Sequence, residues 1–161
     1  MAFLLLFVHQ ACRKKSDNPP KTEPSKEQLG DDLLKALSDM RLGLEIYFDV
    51  TGVIGREIYV FSPIEQRYTI DLLGGGNATL SNNQFYITDP CTAQYKVIKN
   101  VMQVIKGAHQ STKLTDADRR GLTGVAKTII AHELLMNLNL THTNGIYINL
   151  ASNNPASGPK N

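Results

Sequence analysis

The sequence has few cysteines, no long apolar run and no concentration of basic charge, and each absence excludes a class of protein. Only 2 of the 161 residues are cysteines, and Cys12 and Cys91 stand too far apart for a C-x-x-C metal motif or a disulfide framework. No stretch reaches the roughly 18 apolar residues that a membrane span requires. The formal net charge is +2, whereas nucleic-acid-binding proteins concentrate Lys and Arg on one surface.

Catalytic and metal-binding motifs are also incomplete. The stretch GLTGVAKT, residues 121–128, carries Ala126 where a phosphate-binding loop needs its second glycine, and polar residues precede it in place of a buried strand. In AHELLM, Met136 stands where the zinc-protease motif needs a second histidine after His132 and Glu133. Cys91 is best interpreted as a small buried residue. The sequence therefore predicts neither an enzyme nor a metal or cofactor site.

The first residues resemble a bacterial lipoprotein signal. MAFLLLFV has the length of a signal-peptide core, about 7–15 apolar residues, and Ala11 precedes Cys12, which would become the lipidated first residue of the mature chain. Two features depart from that pattern, because a basic start is missing and His9-Gln10 replace an aliphatic and a small residue. A frayed N-terminus that packs on the domain is the alternative.

These patterns divide the chain into four parts. We expect a lipoprotein signal peptide at residues 1–11 and a folded domain at residues 28–150. Between them, residues 12–27 are polar and contain three prolines, a composition that cannot build a core and is typical of semi-rigid tethers. The tail, residues 151–161, offers little apolar surface to bury and is expected to be disordered or truncated.

Within the domain, apolar residues recur every three or four positions in three stretches, which predicts three helices. The first covers residues 29–47. The second begins with Asp89 as N-cap and Pro90 at the first helical position, and Thr115 caps the third. Residues 52–89 mix turn formers with β-branched and aromatic residues, which indicates a long irregular connection with room for short strands. A further short strand is predicted at residues 146–150.

The predicted fold is mainly α. Two long helices joined by a short polar link favour an antiparallel pair of the TPR-like type that stacks in helical repeat proteins. About three such pairs are needed to bury a continuous core. We therefore expect one pair, an N-terminal helix, long irregular loops and a short strand, together forming a fragment of a larger helical superhelix.

One polar stretch is a candidate binding segment. GGGNATLSNNQFY, residues 74–86, combines backbone freedom, asparagine amides and the adjacent rings of Phe85 and Tyr86. Neutral polar ligands such as sugars suit this combination, because rings cover C–H faces and amides match hydroxyl groups. The alternative, which the residues alone favour, is an ordinary solvent loop whose aromatic side chains pack into the core.

Several runs in the same order resemble the N-terminal part of the SusD/RagB family. They are LSDMRLGLEIYFDVTGVIGREIY, RYTIDLLGGG, QFYITDP, YKVIKNVMQVIKG and LTGVAKTIIAHELLMNLNLTHTNGIYIN, and they cover most of the chain from about Ser38 to Asn149. The positions that carry the resemblance include Gly55-Arg56-Glu57, Tyr68, Gly75, Tyr95, Asn100, Gly124, Ala126-Lys127, Ala131 and Asn144-Gly145-Ile146. Tyr147 and Asn149 depart from it, since an arginine and an aspartate are usual there.

The resemblance implies a nutrient-binding protein that is not an enzyme. Family members are lipoproteins of the cell outer membrane, anchored through the lipidated cysteine that Cys12 matches. They cover a TonB-dependent SusC-type porin and capture glycans or other nutrients for import. Members are several times longer, so we expect this chain to be a truncated or incomplete copy.

On this interpretation, ligand contacts fall between residues 67 and 86. The residues expected to make them are Arg67, Tyr68, Asn83, Phe85 and Tyr86. The competing hypothesis is a helical-repeat module without small-molecule binding, which would use the helix pair of residues 95–140 to dock another protein.

Overall fold

A computed structural model describes residues 23–74, 80–81 and 83–148. Within these residues, five α-helices follow in the order α1 (Lys26–Asp39), α2 (Leu44–Ile54), α3 (Arg67–Ile70), α4 (Phe85–Gln110) and α5 (Asp116–Thr141), and a 3₁₀ turn covers His142–Asn144. The prediction of a mainly α fold is confirmed. No described helix combines the length and hydropathy needed to cross a membrane.

The long helices α4 and α5 form the predicted antiparallel pair. At one end, Arg119 near the start of α5 donates from Nε to the carbonyl of Ala108 and from Nη2 to that of Ser111, at 3.1 and 3.2 Å. At the other end, the Tyr95 hydroxyl donates to the carbonyl of Tyr147 and accepts from its backbone N–H, both at 3.1 Å. These contacts tie both ends of the hairpin.

The strand predicted at residues 146–150 is wrong over its described part. Residues 145–148 are irregular, and the backbone groups of Tyr147 are bound by the Tyr95 side chain. A tertiary contact here supplies the hydrogen bonds that a strand partner would supply. No strand is found elsewhere among the described residues, including the described part of 52–89.

The single helix predicted at residues 29–47 is two helices. Ser25 begins α1 with a capping box. Its hydroxyl accepts from the backbone N–H of Gln28, and the Gln28 side chain accepts from the backbone N–H of Ser25. The break falls at Gly43, whose φ is 79° and whose missing Cβ would lie 3.0 Å from Cβ of Ala93. Close approach to α4 therefore interrupts an apolar spacing that continues through the break.

The start of α4 was also predicted too late in the chain. The helix begins at Phe85, which leaves Pro90 buried in its second turn rather than at the first helical position. Proline removes one intrahelical hydrogen bond there. Burial of the Tyr86 side chain and partial burial of Phe85 favour the extra turn in spite of that cost. By contrast, the Thr115 cap is confirmed, because its hydroxyl accepts from the Asp118 N–H at 3.1 Å.

The last residues of the predicted tether belong to the fold. Lys26 and Glu27 lie in α1, and the residues before them dock on the end of α4. Ser111 donates from Oγ to the Pro24 carbonyl at 2.9 Å, and Thr112 donates from Oγ1 to the Glu23 carboxylate at 2.7 Å. The boundary at residue 27 is therefore wrong, because polar residues before the helix find specific partners 87 and 89 positions later.

Two clusters of buried side chains hold the helices together. A three-helix core lies between α1, α4 and α5 and contains Leu29, Leu33, Ala36, Val97, Val101, Val104, Ala108, Leu114, Ala126 and Ile129. A tyrosine core lies between α2, the segment around α3 and the start of α4, and contains Val50, Val53, Tyr68, Leu72 and Tyr86. Helix α4 contributes to both, so it is the central element of the fold.

Candidate functional site

The predicted ligand residues gather at the tyrosine core, where α3 meets the first turn of α4. Tyr86 lies at its centre with a side chain that is 0% exposed. Its hydroxyl accepts from the Ser81 backbone N–H at 3.0 Å and donates to Oδ2 of Asp71 at 3.1 Å. Burial raises the pKa of this phenol. The ring and the hydroxyl are both fully engaged inside the protein.

Tyr68 and Phe85 extend the same cluster toward the surface. The Phe85 ring makes edge contacts with both tyrosine rings, with centroids 5.4 Å from Tyr68 and 5.6 Å from Tyr86. Tyr68 is buried, and burial followed by the charges of Asp49 and Glu45 raises the pKa of its phenol. Edge-to-face contacts of this kind add about 0.5–1.5 kcal/mol each beyond burial. The three rings therefore form a fixed platform.

Arg67 covers the outer side of this platform. Its guanidinium carbon lies 4.6 Å from the centroid of Phe85, and its nitrogens donate to both carboxylate oxygens of Glu65 and to Oε1 of Gln84. The hydrogen bonds from Arg67 lower the pKa of the Glu65 carboxyl. A bidentate pair of planar groups fixes geometry as well as charge, so Arg67 joins α3 to the start of α4.

Polar groups remain accessible around the Arg67–Glu65 pair. Asn83 is exposed, and the Gln84 and Glu65 side chains are partly exposed beside Arg67. Beside the Phe85 ring, this surface presents the Arg67 guanidinium, the Glu65 carboxylate and the Gln84 amide. The exposed Asn83 side chain directly precedes Gln84 in the chain. Sequence reasoning missed Glu65 and Gln84. Gln84 reaches Arg67 across 17 positions, which no local pattern indicates, whereas the Glu65–Arg67 pair spans only two positions and is a local signal that could have found Glu65.

The five predicted residues therefore divide into two groups. Tyr68 and Tyr86 pack in the tyrosine core and present no ring face to solvent, as the alternative of aromatic side chains packing into the core predicts. Burial of each ring stabilises the fold, and neither ring offers a face to a ligand, so a ligand contact by these two residues stays a prediction. Arg67, Asn83 and Phe85 keep accessible atoms.

The remaining reactive side chains that the structure describes do not assemble into a second site. His132 Nδ1 lies 2.9 Å from Oε1 of Glu133, whose side chain is buried. Burial raises the pKa of the Cys91 thiol, which keeps it protonated and weakly nucleophilic. In the part of the chain that the structure describes, no three metal-binding side chains cluster together.

Cys12, the predicted lipidation site, lies outside the described residues. Comparison with models of protein families, with curated proteins and with solved structures finds no match for this chain.

Proposed function

We propose that this protein is a nutrient-binding lipoprotein of the outer membrane that delivers a glycan, or another polar nutrient, to a TonB-dependent SusC-type porin. It binds its ligand and does not transform it. The resemblance to the SusD/RagB family suggests this function, and residues that carry the resemblance have definable structural tasks. Gly55-Arg56-Glu57 ends α2, for example, and Tyr95 ties the chain after Asn144-Gly145-Ile146 to α4.

The observation that carries the proposal is the polar surface on the ring platform. Rings held by the core keep Arg67, Glu65 and Gln84 in one arrangement before any ligand arrives. Preorganised donors and acceptors reduce the entropic cost of binding. Carboxylate, guanidinium and amide groups together match the mixed donors and acceptors of sugar hydroxyls.

A binding experiment tests the surface directly. Calorimetry against a panel of soluble glycans should detect at least one ligand for the parent chain. The double substitution Asn83→Ala with Gln84→Ala should weaken that ligand about tenfold, since each lost hydrogen bond contributes about 0.5–1.5 kcal/mol. Gln103→Ala, an exposed amide further along α4, is the matched control and should leave affinity unchanged.

Loss of affinity in the Gln103 variant alone would place the site elsewhere. Absence of binding to every glycan and small nutrient tested would contradict the proposed ligand class.

Lipid attachment at Cys12 has its own test. In a Gram-negative host, the chain should incorporate a labelled fatty acid and fractionate with the outer membrane, whereas Cys12→Ser should incorporate none. A bound acyl chain contributes about 0.8 kcal/mol per buried CH₂. A parent chain that carries no label and stays in the cytosol contradicts this part of the proposal.

The porin partner is tested by affinity purification of the lipidated chain from solubilised outer membranes. A TonB-dependent porin should be enriched with the parent chain and absent with Cys12→Ser, which never reaches that membrane. Enrichment of the porin with neither chain contradicts the partnership.

One observation favours a second candidate function, a protein-docking module without small-molecule binding. The outward side of α5 carries the exposed apolar side chains of Val125, Leu135 and Leu138. Apolar side chains that follow one side of a helix are typical of helix docking. Leu135→Arg would then abolish capture of a partner protein while glycan binding, if present, remains.

A further inference from the structure

We propose that the segment after α2, residues 57–63, is a strand-pairing surface through which two copies of this chain associate. This inference is independent of the proposed nutrient binding, because it uses other residues. The segment reads EIYVFSP, and it leaves α2 through a backbone turn at Arg56.

The backbone of this segment has open hydrogen-bonding groups. The N–H of Ile58 donates to the Gly52 carbonyl at 3.3 Å. Beyond that point, Tyr59, Val60 and Phe61 make no backbone hydrogen bond with any residue that the structure describes. Consecutive β-branched and aromatic residues with open N–H and C=O groups are a template for adding a strand.

Packing holds one side of the segment and leaves the other open. Ile58 lies against Gly52 of α2, so closely that a Cβ on Gly52 would be 2.7 Å from Cγ1 of Ile58. Val60 packs against the tyrosine core. Tyr59 and Phe61 point away from it, 57% and 77% exposed. The core thus holds a segment with no helix or turn at residues 58–62. The alternating burial of Tyr59, Val60 and Phe61 turns its aromatic side outward.

The two exposed rings stack on each other. The Tyr59 and Phe61 ring planes are 13° from parallel, and their centroids are 6.2 Å apart. Ile64, three residues after Phe61, is also apolar and 95% exposed. Large apolar side chains exposed together on a folded chain are typical of an interaction site.

The occupant that fits this surface is the same segment of a second copy. In an antiparallel pair centred on Val60, Tyr59 of each copy lies opposite Phe61 of the other, and Val60 lies opposite Val60. All four rings then meet on one side of the two-stranded pair, where directly opposed aromatic residues stabilise each other. A pair centred on Tyr59 instead would place Phe61 opposite the charged Glu57.

The charges and the proline fit the same register. Glu57 of one copy lies opposite Pro63 of the other, so no like charges are opposed. Pro63 has no N–H to donate and ends the pairing. The paired stretch is therefore limited to about five residues, which favours a discrete, weak dimer over an open-ended stack of strands.

Sedimentation velocity over a concentration series tests the proposal on the full chain. The parent should show a reversible monomer–dimer equilibrium. Tyr59→Lys with Phe61→Lys should raise the dimer dissociation constant at least about tenfold, because two opposed ring pairs are lost. Leu135→Lys with Leu138→Lys removes exposed apolar side chains from α5 instead and should leave the equilibrium unchanged.

Disulfide trapping tests the register. In a Cys12→Ser, Cys91→Ala background, a mixture of Tyr59→Cys and Phe61→Cys chains should form a mixed disulfide dimer on mild oxidation. Each chain alone should crosslink far less, because identical positions other than Val60 are offset across the pair. A monomeric parent, a dimer that survives the lysine substitutions, or equal crosslinking of single chains and mixture would each overturn the proposal.

Discussion

Arg56 adopts a left-handed backbone, with φ 61°, at the end of α2. The N–H groups of Arg56 and Glu57 donate to the carbonyls of Val53 and Gly52, at 3.1 and 2.9 Å. This is the hydrogen-bonding pattern of a Schellman helix end, in which glycine usually takes the left-handed position. The arginine also donates from Nη2 to the Leu73 carbonyl at 3.2 Å.

Substitution at Arg56 separates the backbone cost from the side-chain contact. Arg56→Val should lower the free energy of unfolding by about 2 kcal/mol, because a β-branched side chain is strained at positive φ. Arg56→Gly loses the same guanidinium contact but tolerates that φ, so it should stay within about 0.5 kcal/mol of the parent. Denaturant titration measures both, and equal destabilisation by the two variants would contradict the backbone explanation.

The buried carboxyl of Glu133 should make folding stability depend on pH. Burial raises the pKa of its carboxyl above the ordinary value of 4.5, and His132 opposes that shift. Because the folded-state pKa is the higher one, the unfolded chain releases this proton first. The contribution of Glu133 to folding stability therefore falls as pH rises through and above about 4.5.

Glu133→Gln should accordingly unfold at a higher temperature than the parent at pH 7, by the equivalent of about 1 kcal/mol. The advantage should shrink as pH falls below about 4.5, because the parent carboxyl then becomes protonated in the unfolded as well as the folded state. The exposed Glu57→Gln variant is the control for the amide substitution itself and should melt close to the parent at pH 7. A Glu133→Gln variant that is less stable than the parent at pH 7 would contradict the predicted direction of the stability change.

At the scale of elements, the crossing of α2 and α4 depends on one glycine. Gly43→Ala adds a methyl group 3.0 Å from Cβ of Ala93 and places it at φ 79°. Both effects oppose folding, and together they should cost about 2–3 kcal/mol. Gly30→Ala, in α1 with open space around the added methyl group, should stabilise by about 0.5–1 kcal/mol. Thermal melts of the two variants measure the contrast.

Sequence patterns gave the long helices and missed the places where helices meet. The apolar spacing and the Thr115 cap are local signals, and they placed α5 well. The Gly43 break, the early start of α4 and the docking of Pro24 on Ser111 all depend on contacts between distant residues. The candidate site shows the same limit, since the sequence marked Tyr86 but gave no sign that Asp71 and Ser81 enclose its hydroxyl.

At the scale of the whole molecule, α4 links the two cores and should make unfolding cooperative. Val50 lies in the tyrosine core and is 0% exposed, and Val50→Ala should lower the free energy of unfolding by about 2 kcal/mol. Because α4 is shared, hydrogen exchange should report a similar loss of protection in the three-helix core. Exposed Val125→Ala is the control and should change protection little. Unchanged protection of α5 in the Val50 variant would show that the cores unfold separately.

The Tyr86 phenol also gives the protein an optical reporter. The chain has six tyrosines and no tryptophan, so its ultraviolet emission comes from phenol rings. A phenol is a stronger acid in its excited state than in its ground state. The Asp71 carboxylate, 3.1 Å from the Tyr86 hydroxyl, is placed to accept that proton and quench the fluorescence of the ring. Opening this core should therefore brighten the emission, and the unlabelled protein would signal its own unfolding.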